Sequence, residues 1–223
     1  MDNVRTEKLT KIYRQDSIEV AAIKEVSFEI AAGEFVAMVG PSGSGKSTLL
    51  NLLGGLDHPT SGRLWVGGEE LDTMTGRQLA GLRLKRIGFV FQNYNLIPVL
   101  SALENVEYVM LLQGVPDEPR RKRALAVLAD VGLGGLEHRR PGELSGGQQQ
   151  RVAVARAIVS EPALVLADEP TANLDSATGA ALMDLMRRLN EEKGTTFVFS
   201  THDSMVMERA RRLVRLKDGR VVH

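Results

Sequence analysis

Gly40-Pro41-Ser42-Gly43-Ser44-Gly45-Lys46-Ser47-Thr48 is the stretch on which the reading of this chain turns. It fits G-x-x-x-x-G-K-[ST], and Phe35-Val36-Ala37-Met38-Val39 before it is apolar throughout, as a strand buried on both faces requires. Leu49-Leu50-Asn51-Leu52-Leu53 after it reads as the opening of a helix that ends near Gly54-Gly55. Strand, glycine loop and helix in that order make a phosphate cradle. Glycine turns the backbone with positive φ, so several N–H groups point into one hollow at the positive end of a helix. There Lys46 reaches the β and γ phosphates, Ser47 supplies a hydroxyl to Mg²⁺, and Thr48 helps close the loop.

With 223 residues the chain is one large domain or a domain carrying an insertion. Its 28 Lys and Arg offset 28 Asp and Glu, so no overall field draws it to nucleic acid or to an anionic membrane. Cysteine is absent, which removes disulfide and thiolate chemistry and fits a reducing cytoplasm. Met1-Asp2-Asn3-Val4-Arg5 is polar, and no apolar run approaches the roughly 18 residues of a membrane span. The expectation is a chain soluble by itself, with any membrane role reached through a partner.

In chain order, Val4 to Tyr13 reads as a strand, and Val26-Ser27-Phe28-Glu29-Ile30 alternates as a half-buried antiparallel strand does. Arg63-Leu64-Trp65-Val66 is a further strand ending in a turn at Gly67-Gly68, with Trp65 a packing residue. Ile87-Gly88-Phe89-Val90-Phe91 is a second buried strand, ending at Gln92. Ser101-Ala102-Leu103-Glu104 has capping-box spacing, and Leu103, Val106 and Met110 share one helical stripe. Another helix runs from about Pro119 to Val131. These two helices interrupt the βα alternation, so residues 93–143 read as a helical insertion within a single domain spanning 1–223. The basic runs Arg120-Arg121-Lys122-Arg123 and Arg209, Arg211, Arg212, Arg215 read as solvated faces, with a contact surface as the alternative; no aromatics interleave them, and nothing argues for single-strand nucleic-acid binding. Beyond Ala163 the alternation returns: strand 163–167, helix 176–190 with Leu182, Leu185, Met186 and Leu189 on one stripe, strand 195–200, a helix after Asp203, and a closing hairpin at Asp218-Gly219.

Two further stretches carry chemistry. Asp168-Glu169 follows an all-apolar strand, at the carboxyl edge where an open parallel sheet binds its ligands. Asp168 there holds Mg²⁺, directly or through water, and Glu169 accepts a proton from an attacking water. Leu144-Ser145-Gly146-Gly147-Gln148-Gln149-Gln150-Arg151 opens a helix whose cap is Ser145 and whose stripe is Val152, Ala155, Ile158 and Val159. Its glycines admit an anion to a second helix N-terminus. One chain thus offers two phosphate grips, and a two-fold dimer would let the second close over the first of its partner.

Leu144-Ser145-Gly146-Gly147-Gln148 resembles the signature motif of ATP-binding-cassette ATPases, and the chain is similar to that family from end to end: glycine loop, Gln92, signature, Asp168-Glu169, Asn173-Leu174-Asp175 and His202 keep its order and spacing. The resemblance implies an α/β fold: a P-loop NTPase core with a mostly parallel sheet flanked by helices, an N-terminal antiparallel β subdomain and an inserted α-helical subdomain. It implies that Tyr13 stacks on adenine and that Gln92 approaches Mg²⁺ and the attacking water. It further places Asp175 at a dimer interface and His202 against the γ-phosphate. Gly40 to Thr48 and Ser145 to Gln148 would then contact ATP, Glu169, His202, Gln92 and Lys46 would serve hydrolysis, and Ser47, Gln92 and Asp168 would meet Mg²⁺.

Phe91-Gln92-Asn93-Tyr94-Asn95-Leu96-Ile97-Pro98 and Leu166-Ala167-Asp168-Glu169-Pro170-Thr171 resemble the lipoprotein-release and macrolide-export ATPases and their cell-division relatives, with Ala172 where that group more often has glycine. The expectation is a homodimeric ATPase on the cytoplasmic face of the inner membrane, under permease subunits that are a separate polypeptide. A non-transport mechanical role of the cell-division type is the alternative. A P-loop kinase would leave the Ser145 stretch unexplained, and a nucleic-acid ATPase lacks a basic groove.

Overall fold

The computed structural model describes residues 2–15 and 18–222. β1 (Asp2–Gln15) and β2 (Ile18–Ala31) pair antiparallel, and β4 (Ser61–Val66) and β5 (Glu69–Glu70) extend them into a four-stranded sheet of order β2-β1-β4-β5. The second sheet is built from β3 (Phe35–Val39), β6 (Ile87–Val90), β7 (Leu164–Asp168), β8 (Thr196–Thr201), β9 (Arg212–Lys217) and β10 (Arg220–Val222). Its order is β10-β9-β3-β8-β7-β6, and every pairing is parallel except the β9–β10 hairpin.

The apolar strands are apolar because both of their faces are covered. Side chains alternate along a strand, and here they divide between two buried clusters. Phe35, Val165, Ala167, Phe197 and Phe199 pack on one face, against α3 (Ala102–Leu112), α4 (Asp117–Asp130), α5 (Gly146–Ile158), α6 (Ser176–Lys193) and Val206 of α7 (Ser204–Arg209). Val36, Met38, Leu164, Leu166 and Val198 pack on the other, against α1 (Lys46–Leu53), α2 (Gly76–Arg86) and the inner face of the antiparallel sheet. The parallel sheet is therefore the middle layer of three. Its strands β3, β6, β7 and β8 all point the same way, so the residues that follow them gather along one edge.

Local expectations and structure differ in three places. α2 lies where the sequence reading named no element; Thr75 caps it with a full capping box, but only Leu79 and Leu82 turn inward. α4 begins earlier than Pro119, with Asp117 and Glu118 in its first turn, where carboxylates suit the helix dipole. Arg120 is consequently no solvated residue. Its side chain is 15% exposed, paired to Asp117 at 2.6 Å and facing Glu107 of α3 at 3.6 Å. By contrast Arg209, Arg211 and Arg212 do sit on the surface, in ion pairs with Asp184, Glu191 and Glu34. Trp65 packs between the guanidinium groups of Arg5 and Arg63, at 5.1 and 4.6 Å. The apolar side chains of α3 and α4, within 93–143, are continuous with the buried cluster of α5 and β8.

Candidate active site

The glycine loop joins β3 to α1 and is clasped from two sides. Gly45 is the N-cap of α1 with φ 103°, and a side chain there would meet the Ala22 carbonyl oxygen at 2.5 Å. Gly40 lies so close to the Leu216 carbonyl oxygen that no Cβ fits. The Gly219 N–H donates to the Ser44 carbonyl at 3.1 Å, and the Lys24 N–H donates to the Gly219 carbonyl at 2.8 Å. β2 and the closing hairpin thus fix the loop's shape. The Lys46 ammonium is buried over it, donating to the Gly40 and Pro41 carbonyls at 2.8 and 3.1 Å.

A cleft of about 800 Å³ opens over this loop. Ser42, Gly43, Gly45, Lys46, Ser47 and Thr48 line its floor, and Gln92, Glu169 and His202 line its wall. The Ser47 hydroxyl donates to Asp168 Oδ1 at 3.3 Å, bringing the two expected metal ligands together. Glu169 Oε1 and His202 Nδ1 are 2.7 Å apart. A carboxylate only accepts, so Nδ1 carries the proton in this pair and Nε2 remains for another partner. Glu169 is held on three counts: its φ is 45°, its N–H donates to the Ser200 carbonyl at 2.9 Å, and the Pro170 carbonyl after it accepts from the fully buried Gln150 amide at 2.7 Å.

Gln92 is positioned through its neighbours. The Asn173 amide donates to the Gln92 carbonyl at 2.9 Å. The loop beyond is tied to α3 by Asn105, which accepts from the Ile97 N–H at 2.8 Å and donates to the Ser101 carbonyl at 2.9 Å. It is tied to α5 by Arg156, whose guanidinium donates to the Tyr94 carbonyl at 2.8 Å and to the Asn95 carbonyl. Burial pulls the Arg156 guanidinium below its ordinary pKa. The Tyr94 hydroxyl fills the space beside Gly146, where an added Cβ would sit 2.8 Å from it.

Not every candidate faces this cleft. Ser145, Gly146, Gly147, Gln148 and Asp175 are absent from its lining. Ser145 caps α5, accepting from the Gln148 N–H at 3.3 Å while Gln148 accepts from the Ser145 N–H at 2.9 Å. Asp175 caps α6 through the Thr178 N–H and hydroxyl, at 3.0 and 2.6 Å, and these bonds hold its carboxyl below the usual range. Tyr13 stands to one side of the cleft, its hydroxyl donating to Asp57 Oδ2 at 2.9 Å. Its burial and the nearby carboxylate raise its pKa.

The family model described as "ABC transporter" matches residues 23–172. The chain belongs to the ABC transporter family. It is 52% identical over 95% of its length to an uncharacterized ABC transporter ATP-binding protein of Thermotoga maritima, of which it covers 90%. It is 48% identical over 98% of its length to the macrolide export ATP-binding/permease protein MacB of Syntrophobacter fumaroxidans, but spans only 31% of that protein. Among solved structures, the dimeric post-hydrolysis state of the ATP-binding cassette MJ0796, bound to ADP and Pi, superposes with TM-score 0.91 at 45% identity, covering 99% of this chain and 97% of that one; MJ0796 belongs to Methanocaldococcus jannaschii.

As an ABC transporter ATPase the chain binds and hydrolyses ATP. Sequence reading missed several groups that shape its cleft. Val20, Ala21, Ala22 and Lys24 of β2, and Asp218 and Gly219 of the hairpin, line the cleft although their local signal is only strand and turn. Gln150, Asn105 and Arg156 gave no signal in the periodicity, since none of them falls on the apolar stripe of its helix.

Proposed function

We propose that this ATPase works as a two-fold homodimer beneath membrane permease subunits of the macrolide-export or lipoprotein-release type, at the cytoplasmic face of the inner membrane. The observation that carries the catalytic part is the Glu169–His202 pair, 2.7 Å apart beside the phosphate loop. Glu169 acts as the general base on the attacking water. His202 stays docked on it through Nδ1 and offers Nε2 to the γ-phosphate. Lys46 leaves its backbone carbonyls for the β and γ phosphates, and Gln92 orients the water from the cleft wall. Ser47 Oγ and Asp168 Oδ1, 3.3 Å apart, are hard oxygen donors next to the loop and suit Mg²⁺. When bound with ATP, Mg²⁺ neutralises charge on the phosphates.

Dimerisation is supported by what this chain leaves outside its own cleft. The Ser145 helix end and Asp175 do not line it, which fits a second copy bringing them to the nucleotide. The similar MJ0796 cassette is dimeric with ADP and Pi. Transport, rather than a purely mechanical role, is supported by relatives at 46 to 48% identity that are named macrolide exporters. No helix among the described residues is long and apolar enough to cross a membrane.

The test is Glu169→Gln. It keeps the shape and removes the base, so ATP still binds while turnover falls about 10²- to 10⁴-fold and a closed dimer accumulates, read by steady-state ATPase and gel filtration with and without ATP. Wild-type turnover in this variant would sink the assignment.

A further inference from the structure

Alternation along β1 places Lys11 and Tyr13 on one face, against the turn that follows α1. Lys11 is largely buried there, with its side chain 13% exposed. Its ammonium donates to Asp57 Oδ1 at 2.6 Å and to the His58 carbonyl at 2.8 Å, and lies 4.9 Å from the centroid of the Tyr13 ring. The other carboxylate oxygen of Asp57 accepts the Tyr13 hydroxyl at 2.9 Å. The turn itself is locked to the strand, because the Thr60 N–H donates to the Thr10 carbonyl at 2.8 Å and the Ile12 N–H donates to Thr60 Oγ1 at 3.0 Å.

The ring of Tyr13 is therefore held by its hydroxyl and by a cation on one face. A ring has two faces, and an ammonium attracted to one leaves the other for a planar ligand. A free surface tyrosine would lose rotamer freedom each time a base stacked on it. A clamped one has lost it already, so affinity for the base rises. We infer that Lys11, with Asp57, is a positioning residue for the nucleotide base: the pair clamps the Tyr13 ring and presents its open face to the purine of ATP. This rests on the reading of Tyr13 as the stacking residue.

The experiment compares binding of ATP with binding of tripolyphosphate, which shares the phosphate grip but has no base. Lys11→Met keeps the aliphatic stem and removes the cation. Its expected effect is an ATP Kd and KM raised about threefold to tenfold, with kcat and the tripolyphosphate Kd unchanged. Lys11→Arg, which can stack and pair in the same place, restores ATP affinity to within about twofold. Asp57→Asn repeats the Lys11→Met pattern. Tyr13→Ala separates the two levels: if it weakens ATP but not tripolyphosphate while Lys11→Met changes neither, the clamp is overturned and stacking stands. If Tyr13→Ala also leaves ATP binding unchanged, both readings fall. Loss of tripolyphosphate binding in both Lys11→Met and Asp57→Asn would make the cluster a general support of the fold and overturn the inference.

Discussion

Glu169 occupies a backbone conformation, φ 45°, that side chains with a Cβ avoid at a cost of about 1 kcal/mol or more. The bond from its N–H to the Ser200 carbonyl and the Gln150 amide on Pro170 hold it there, aimed at His202. Glycine ordinarily destabilises relative to alanine; at this position the order should reverse. Glu169→Gly is expected to unfold at higher denaturant than Glu169→Ala, by about 1 kcal/mol in a urea titration, with both inactive. Asp57 gives a second residue-scale expectation. Burial acts to raise its pKa, but the Lys11, Tyr13 and His58 hydrogen bonds together prevail and hold it below the ordinary 3.8. A depressed carboxyl contributes stability above its unfolded value and loses it as pH falls through the folded one. The stability gap between wild type and Asp57→Asn should thus be constant around neutrality and close on acidification below about pH 4, by denaturation at stepped pH.

Helix starts show how much of this fold was legible at the level of elements. Ser101 and Ser145 each precede an apolar stripe, and both form full capping boxes. Thr75 forms the same box with Gln78 but heads a helix with only two inward leucines, so periodicity gave nothing to attach it to. The phosphate loop, Asp168-Glu169 and His202 were legible because each follows a buried strand, and parallel strands deliver such ends to one edge. Lys24 and Gly219 were not, because their approach to Ser44 depends on β9 pairing with β3 and on the hairpin folding back to β2, contacts remote in sequence. The caps can be separated by their roles. Ser101→Ala should cost about 1 kcal/mol of stability and leave ATPase activity within about twofold. Ser145→Ala should cost a similar amount in denaturation and also lower ATPase activity several-fold, since its helix end is the proposed grip on the partner's nucleotide.

Across the whole molecule, the loop after Gln92 runs from the cleft to the start of α3 and is fastened along its length. Asn173 holds its start, Arg156 fastens Tyr94 and Asn95 to α5, and Asn105 fastens Ile97 to Ser101 on α3. Tyr94 abuts Gly146, next to the Ser145 cap. With these ties, a displacement at the outer end is expected to reach Gln92 and the α5 N-terminus together. Asn95 of this loop borders an apolar groove of about 570 Å³, lined by Leu56, Phe89, Phe91, Val109 and Leu112. Leu112 is 56% exposed, and Val99 on the loop is 72% exposed, so neither is needed to fill the core. An apolar groove rimmed by exposed side chains suits a segment of the permease proposed above. Leu112→Asp places a charge in it without disturbing buried packing. Basal ATPase of the isolated chain should stay within about twofold of wild type, while stimulation of ATPase by the permease in reconstituted vesicles should be lost. Val99→Asp should do the same from the loop side. Full stimulation in both variants would remove the groove as the docking surface. A fall in basal activity would instead show that the loop serves the nucleotide site directly, because Gln92 would then be feeling the charge without any partner bound.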